Sequence, residues 1–381
     1  MPTKKITVVT GTRAEYGLLS SSMAKIKQSP TLELTTVATG MHLSRRHGHT
    51  IDRIREDGFD VTDSVDTLLG SDTGRGMAKS LGLGIAGLAE SFESIEPDVV
   101  LTLGDRGEAF GAGIAAAHMN IPVAHIHGGD AMKGATIDDS IRHALTKFAH
   151  IHFPATEASK QRILRLGEEE WRIQTVGAPG LDDVIDGEYD DAENVRETLD
   201  LDSTRPLAVV VQHPETTNPE NAGEQMRQTL EAITEFNAQI VVIHPNADAG
   251  SQQIIETIRR YKASDRFATF ESLPRRTYLG LLDTADVMVG NSSSAIIEAP
   301  SFGLPVVDVG PRQAGRDRAE NVESVPHDTA AICDGIETAL ETGGNREYTN
   351  PYDMGGAADR IVKTLETISI DNRLLTKSIT Y

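Results

Sequence analysis

Short apolar runs alternate with longer amphipathic segments from one end of this chain to the other, and few folds accommodate that rhythm. A run such as Ile6-Thr7-Val8-Val9-Thr10 is too short for a helix and suits a strand buried on both faces. The roughly ten or more amphipathic residues between runs supply the crossover that parallel pairing requires. The runs at 6–10, 34–38, 99–103, 123–126, 151–153 and 173–176 make one set of strands, and those at 207–212, 240–243, 267–270, 287–289 and 306–309 make a second. Between the sets lie Gly177-Ala178-Pro179-Gly180 and an acidic stretch from Asp182 to Asp202, the expected domain junction. The expected fold class is therefore α/β, with two Rossmann-like doubly wound domains facing across a cleft. Their expected bounds are 1–180 and 181–356, followed by a C-terminal helix and tail, 357–381, that can pack back on the N-terminal domain. The polar tail beyond Asp371 is expected to be loose or to contact a partner chain.

Composition narrows the function. Net charge is -21, from 57 acidic and 36 basic residues, so general affinity for nucleic acid or an anionic membrane is excluded as an expectation, and an anionic ligand must be held by local donors. Only 11 of the 36 basic residues are Lys, a Lys-poor, acid-rich balance expected of a surface adapted to high salt. The single Cys333 rules out an intrachain disulfide and reads as an inert, partly buried thiol. The N-terminal apolar run is too short for a signal peptide and no stretch reaches membrane-span length, so the expected location is cytoplasmic.

The candidate chemistry sits just after the apolar runs, where ligands of doubly wound sheets gather. Gly11-Thr12-Arg13-Ala14-Glu15-Tyr16 occupies the place of a dinucleotide Gly-x-Gly-x-x-Gly loop without matching it, and Arg13 there suits an anionic leaving group. The Gly-rich stretch 70–84 contains Lys79-Ser80 but no Gly before the Lys, and reads as helix. Gly104-Asp105-Arg106-Gly107-Glu108 offers two carboxylates and a guanidinium for acid/base work or for sugar hydroxyls, unless Asp105 only caps a helix. In His125-Ile126-His127-Gly128-Gly129-Asp130, period two in a strand places both His on one face, yet no further ligand follows at metal spacing. His127, Asp130 and Asp138 read as titratable groups around a sugar ring, with Arg142 and His143 on a helix starting near Asp138. In the second half, His213, Asn246 and Arg312 follow three other runs. Asn291-Ser292-Ser293-Ser294, with Glu298 one turn later, reads as a diphosphate cradle beside a ribose.

Taken together, Gly-Thr-Arg-Ala-Glu-Tyr at 11–16, Gly-Asp-Arg at 104–106, His-Ile-His-Gly-Gly at 125–129, Ile-Asp-Asp-Ser-Ile-Arg-His at 137–143, Gly-Asn-Ser-Ser-Ser at 290–294 and Gly-Pro-Arg-Gln-Ala-Gly-Arg at 310–316 resemble the hydrolysing UDP-N-acetylglucosamine 2-epimerases. The resemblance implies the two-domain glycosyltransferase-B fold, no metal and no cofactor, and a homodimer or homotetramer. It implies loss of UDP from C1 and of the C2 proton to give a 2-acetamidoglucal, then addition of water, releasing UDP and N-acetylmannosamine. On this chain Arg13, His213, Asn246, Ser292, Ser293, Glu298 and Arg312 would hold UDP, with Glu298 on the ribose. Asp105, Asp138 and the group at 127 would surround the sugar, with Arg106 beside them; Asp130 and His213 complete the catalytic candidates. Some members carry Glu in place of His127. The His-Ile-His-Gly-Gly form includes enzymes acting on a 4-acetamido-4,6-dideoxy version of the sugar, which makes that nucleotide sugar the alternative substrate. A glycosyltransferase or non-hydrolysing epimerase of the same fold would share the UDP half.

The charge balance carries a prediction of its own. Self-repulsion at -21 falls as the Debye length shrinks to about 3 Å near 1 M salt. The thermal midpoint is expected to rise steeply from low salt to molar potassium chloride; a flat or falling midpoint would leave an ordinary acidic surface as the explanation.

Overall fold

A computed structural model describes residues 3–45, 48–69, 73–132, 137–246, 248–261, 265–342 and 347–381. The chain divides into two compact units, one formed by Met1–Ala131, Asp138–Asp182 and Met354–Tyr381, the other by Met132–Ile137 and Asp183–Asp353.

The first unit is built on β1 (Lys4–Thr10), β2 (Leu32–Thr39), β3 (Asp63–Val65), β4 (Val99–Leu103), β5 (Val123–Ile126) and β6 (Ile151–Phe153). They pair in parallel in the order β3-β2-β1-β4-β5-β6. In the second unit β7 (Leu207–Val211), β8 (Gln239–Ile243), β9 (Phe267–Phe270), β10 (Val287–Gly290), β11 (Val306–Val309) and β12 (Val322–Val325) repeat that order as β12-β11-β10-β7-β8-β9. Each sheet is thus a complete doubly wound set. Its switch point falls between β1 and β4 in one unit and between β7 and β10 in the other, where crossovers leave toward opposite faces.

The strand residues are buried because both faces are covered. On β1, Ile6 and Val8 enter one apolar cluster with Leu101 and Ile126, while Val9 enters another with Val37 and Val100. On β7, Ala208 and Val210 pack to one side and Leu207, Val209 and Val211 to the other. Alternate residues serving opposite faces, all apolar, are what made these segments continuous apolar runs in the sequence. The two strands that sequence patterning misses, β3 and β12, lie at sheet edges and read Asp63-Ser64-Val65 and Val322-Glu323-Ser324-Val325. An edge strand half open to water needs no such run. The run at 173–176 is not a strand; after a short 3-10 turn at Glu170–Arg172 it makes one isolated bridge, Ile173 to His152.

Lys79 and Ser80 lie inside the helix Gly74–Ile95, as expected, and the Ser80 hydroxyl accepts the Leu69 N–H at 3.2 Å; Gly70, from the same Gly-rich stretch, is outside the described residues. Cys333 is half-buried, and burial pushes its thiol above the usual range. No described helix is long and apolar enough to cross a membrane.

The C-terminal segment is anchored by remote polar groups. The helix Ala357–Thr367 lays Ile361, Val362 and Leu365 into the cluster containing Ile6 and Val8. Its first N–H groups, of Ala357 and Ala358, donate to the two carboxylate oxygens of Asp182 at 2.9 and 2.7 Å. At its other end Lys4 Nζ donates to the carbonyls of Leu365, Glu366 and Ile368, so orphan backbone groups at both ends find partners elsewhere in the chain. The tail is not loose. The buried Arg172 donates to the carbonyls of Arg373, Leu374 and Thr376 at 2.7 to 2.9 Å. Lys377 reaches the carbonyls of Thr146, Lys147 and Ala149 and pairs with Glu168 at 2.7 Å. An expectation drawn from polarity failed because each of these anchors buries a long cationic side chain against main-chain carbonyls, which tail composition does not reveal.

Candidate active site

In the first unit the loops after β1, β4 and β5 bring together most of the expected titratable groups. Arg13 opens the helix Arg13–Gln28, whose N-cap Thr12 accepts the Glu15 N–H. Glu15 is buried, and its Oε2 accepts the Gly11 N–H at 2.8 Å. After β4, Asp105 does not cap a helix; the N-cap is Arg106, without a side-chain cap bond. Asp105 instead pairs with the guanidinium of Arg142, which is 1% exposed. Arg142 also donates to the Asp130 carbonyl at 3.1 Å and lies 3.8 Å from Asp139. One buried cation therefore ties the β4 loop to the β5 loop. Asp138 starts the same helix, Asp138–Phe148, one turn before Arg142 and on the same face. Arg106 sits 3.7 Å from Glu108.

The two histidines of the β5 segment do not share a strand face. β5 ends at Ile126, and His127 turns into the left-handed region at φ 62°, so strand periodicity stops one residue too soon. His125 is fully buried, and burial brings it down to about 3, which keeps it neutral. Its Nε2 donates to the Gly104 carbonyl at 2.7 Å and so steadies the loop that carries Asp105. His127 is held by its own N–H on the Phe153 carbonyl at 3.0 Å, and its Nδ1 lies 3.7 Å from Asp130 Oδ2. Nε2 of His127 is buried and has no hydrogen-bond partner among the described residues. Among those residues no group of three or more His, Cys, Asp or Glu is arranged to hold a metal ion.

The second unit assembles the expected diphosphate donors around Asn291. The Asn291 side chain accepts the His213 N–H at 2.7 Å and donates to the His213 carbonyl at 3.0 Å, joining the loops after β10 and β7. The Asn291 carbonyl takes Arg312 Nη1 at 3.0 Å and Gln313 Nε2 at 2.8 Å, which brings in the loop after β11. His213 Nδ1 accepts the Asn246 N–H at 3.4 Å, adding the loop after β8. Gly290 makes this convergence possible: at φ 130°, a Cβ there would lie 2.2 Å from the Val211 carbonyl oxygen. Ser292 and Ser293 precede a helix of only four residues, Ser294–Ile297, so an anion here depends on hydroxyls, N–H groups and Arg312 more than on a helix dipole. Glu298 is 2% exposed and paired with Arg275 at 3.0 Å. The phenol of the partly buried Tyr278 reaches the Ser292 and Ser294 side chains; desolvation and the Glu298 carboxylate hold it well above the usual phenol range.

Sequence reasoning had missed Arg275, Tyr278, Asn291 as an organiser and Gln313. Gln313 and Asn291 stand inside quoted motifs, so a signal existed for them. Arg275 and Tyr278 lie on a helix, Arg275–Thr284, that no motif marks.

Two complete parallel sheets, each with polar groups gathered at its switch point, define an α/β protein of the two-domain glycosyltransferase-B class. The chain belongs to the UDP-N-acetylglucosamine 2-epimerase family, whose sequence model matches residues 24–366. It is 39% identical to the UDP-N,N'-diacetylbacillosamine 2-epimerase (hydrolyzing) of Legionella pneumophila, over 99% of this chain and 100% of that one. It is 34% identical to the GDP/UDP-N,N'-diacetylbacillosamine 2-epimerase (hydrolyzing) of Campylobacter jejuni, over 98% of each. Among solved structures, the UDP-GlcNAc 2-epimerase from Neisseria meningitidis bound to UDP-GlcNAc shares the fold with a TM-score of 0.78 at 18% identity, over 95% of this chain and 99% of that one.

The carboxyl cluster at the first switch point makes stability depend on pH. Burial pushes Glu15 up to about 8, opposed by the Gly11 N–H and Arg106 and reinforced by Glu108. A carboxyl raised on folding stabilises fully below its unfolded value of about 4.3, and that contribution is lost as pH rises through about 8. Glu15→Gln keeps an acceptor for the Gly11 N–H and removes the titration. Thermal midpoints across that pH window should fall in the wild type and flatten in the variant, which should be the more stable protein above about pH 8; an unchanged slope would place the titrating group elsewhere.

Proposed function

We propose that this chain is a hydrolysing 2-epimerase whose substrate is the UDP-linked 2,4-diacetamido-2,4,6-trideoxy sugar, UDP-N,N'-diacetylbacillosamine. The observation that carries the reading is the 39% identity along 99% of the chain to a hydrolysing enzyme named for that sugar, supported by the Campylobacter relative. The plainer expectation from the motifs, UDP-N-acetylglucosamine, gives way to its alternative on this ground.

In the proposed reaction, the C1–O bond breaks and its electron pair leaves with UDP, while the C2–H pair forms the C1=C2 bond of a glycal. Water then adds across that bond, its oxygen to C1 and a proton to C2 from the opposite face, and the free 2-epimeric sugar results. The C2 proton is weakly acidic, so stabilising the departing diphosphate is the largest requirement, on the order of 3 kcal/mol for each key donor. Arg312, Ser292, Ser293, His213 and Asn246 fit that role, with Arg13 as a further cation and Glu298, held by Arg275, for the ribose. Asp105, paired with Arg142, Asp138, one helical turn before Arg142, and His127 fit the sugar, with Arg106 beside them.

Incubation with the diacetamido nucleotide sugar in deuterated water should place deuterium at C2 of the released sugar, and labelled solvent oxygen should enter the sugar while UDP stays unlabelled. Label in the phosphate would mean phosphoester hydrolysis. The same assay with UDP-N-acetylglucosamine should run at a lower kcat/KM, and a preference in its favour would return the reading to the simpler substrate. Calorimetry separates the two groups of residues: Arg312→Ala should chiefly weaken UDP binding, whereas Asp105→Asn should leave UDP affinity close to wild type and lower turnover roughly 10² or more.

A further inference from the structure

Behind His127 runs a hydrogen-bond chain whose direction is fixed at every link. Thr156 is the N-cap of the helix Glu157–Arg165; its Oγ1 accepts the Ser159 N–H at 3.1 Å and donates its own proton to Ser159 Oγ at 3.0 Å. With Ser159 Oγ accepting there, the Ser159 proton goes to Asp130 Oδ1, at 2.8 Å. Asp130 therefore accepts at Oδ1 and turns Oδ2 toward His127 Nδ1, 3.7 Å away. Thr156, Ser159 and Asp130 are all buried, Asp130 to 2% exposure.

The backbone is shaped for this chain. Gly129 has φ 80°, and a Cβ on it would sit 2.2 Å from the Ser159 carbonyl oxygen, so only glycine lets the β5 loop lie against the first turn of that helix. Arg162 donates to the Gly129 carbonyl at 3.2 Å and Arg142 to the Asp130 carbonyl at 3.1 Å, pinning the chain on both sides of the carboxylate. His127 sits in the left-handed region, a conformation that a non-glycine residue holds only where its surroundings over-determine it. The charged and titratable groups around the pair are the buried neutral His125 below, Arg142 and His143 from the helix Asp138–Phe148, Arg162 from Glu157–Arg165, and His152 from β6.

We propose that Asp130 and Ser159 are positioning residues of the reaction, Asp130 taking the Nδ1–H of His127 and Ser159 holding Asp130 as an acceptor. This rests on the reading above, in which His127 faces the sugar. The imidazole is then fixed in the tautomer with its lone pair on Nε2, the nitrogen without a partner among the described residues. As UDP departs with the C1–O electron pair and the C2–H pair becomes the C1=C2 bond, the proton passes to Nε2. Asp130 stays a carboxylate throughout, and its distance to Nδ1 shortens to a hydrogen bond when the imidazolium forms. The 3.7 Å separation is one that a small movement of either side chain closes to a hydrogen bond. Asp130, at 2% exposure, thus acts through His127 and does not touch the sugar.

A double-mutant cycle and a spectroscopic readout test this. Ser159→Ala should lower kcat about tenfold, a fraction of the 10²–10⁴ that a positioned base contributes, with KM and UDP affinity unchanged. In a His127→Gln background the same substitution should cost nothing further; an equal cost in both backgrounds would make Ser159 merely structural and overturn the proposal. Asp130→Asn should exceed Ser159→Ala in its effect on kcat and again add nothing to His127→Gln. Independently of turnover, nitrogen-15 NMR of the imidazoles, with His127 assigned by its loss in His127→Gln, should show the Nδ1–H tautomer in the wild type and a shift toward Nε2–H in Asp130→Asn. A wild-type His127 protonated at Nε2 sinks the positioning role. Failure of the wild type to turn over either nucleotide sugar would count against the epimerase reading, while the tautomer would still decide the His127–Asp130 pairing.

Discussion

In a parallel sheet every strand must be entered from the same edge, so every strand also ends at the same edge. That constraint governs the rest of this molecule. Each crossover returns the chain through a helix, and the carboxyl ends of six strands in each unit deliver their loops side by side. At the switch point the crossovers from the two central strands leave toward opposite faces, and the loops there are not overlaid by a helix between them. Arg13, Asp105, His213 and Ser292 all follow one of the four central strands. Within each unit, the gathering of Arg13 with Asp105, and of His213 with Ser292, at one sheet edge is a consequence of winding direction before any side chain is chosen.

What could be read in the sequence follows from the same constraint. A central strand is covered on both faces, so its residues must be apolar in succession, and β1, β4, β7 and β8 announce themselves. An edge strand is exempt, and β3 and β12, each carrying a carboxylate and a serine, give no such sign. The tail was misjudged for a related reason. Arg172 and Lys377 satisfy carbonyls in distant segments, and no local pattern in 371–381 predicts that two remote anchors exist. At the site, strand-end polar residues were legible by position. Their partners were not, because Arg142 on Asp105, Arg275 on Glu298 and Ser159 on Asp130 join residues 23 to 37 positions apart whose pairing exists only in the folded chain. Strand periodicity misplaced His127 because one left-handed residue rotates the side chain off the face that period two assigns to it.

The two switch points also differ in how their charges are handled. In the first unit, burial works on ionisable groups: it keeps His125 neutral and holds Glu15 protonated up to about pH 8, while Arg142 is paired with Asp105. In the second, the groups that converge with His213 are mostly amides, hydroxyls and a phenol kept protonated by desolvation, joined by Arg312. Donors that keep their protons near neutrality suit a ligand that stays anionic and gains negative charge as it departs, as a diphosphate leaving group would. Groups whose ionisation the fold can adjust suit a step in which a proton moves.

That division fits a chain carrying a net charge of -21. A strongly anionic surface disfavours an incoming diphosphate at long range, and salt screens the penalty within a few ångströms, so affinity must come from contacts at hydrogen-bond distance. Preorganised dipoles such as those around Asn291 are screened least, since they act at contact and are already oriented by bonds within the protein. A site that relied on a diffuse cluster of surface lysines would lose most where salt is high. The sequence has few lysines to offer, and the donors that converge on Asn291 come from loops at strand ends and are held there by hydrogen bonds within the protein.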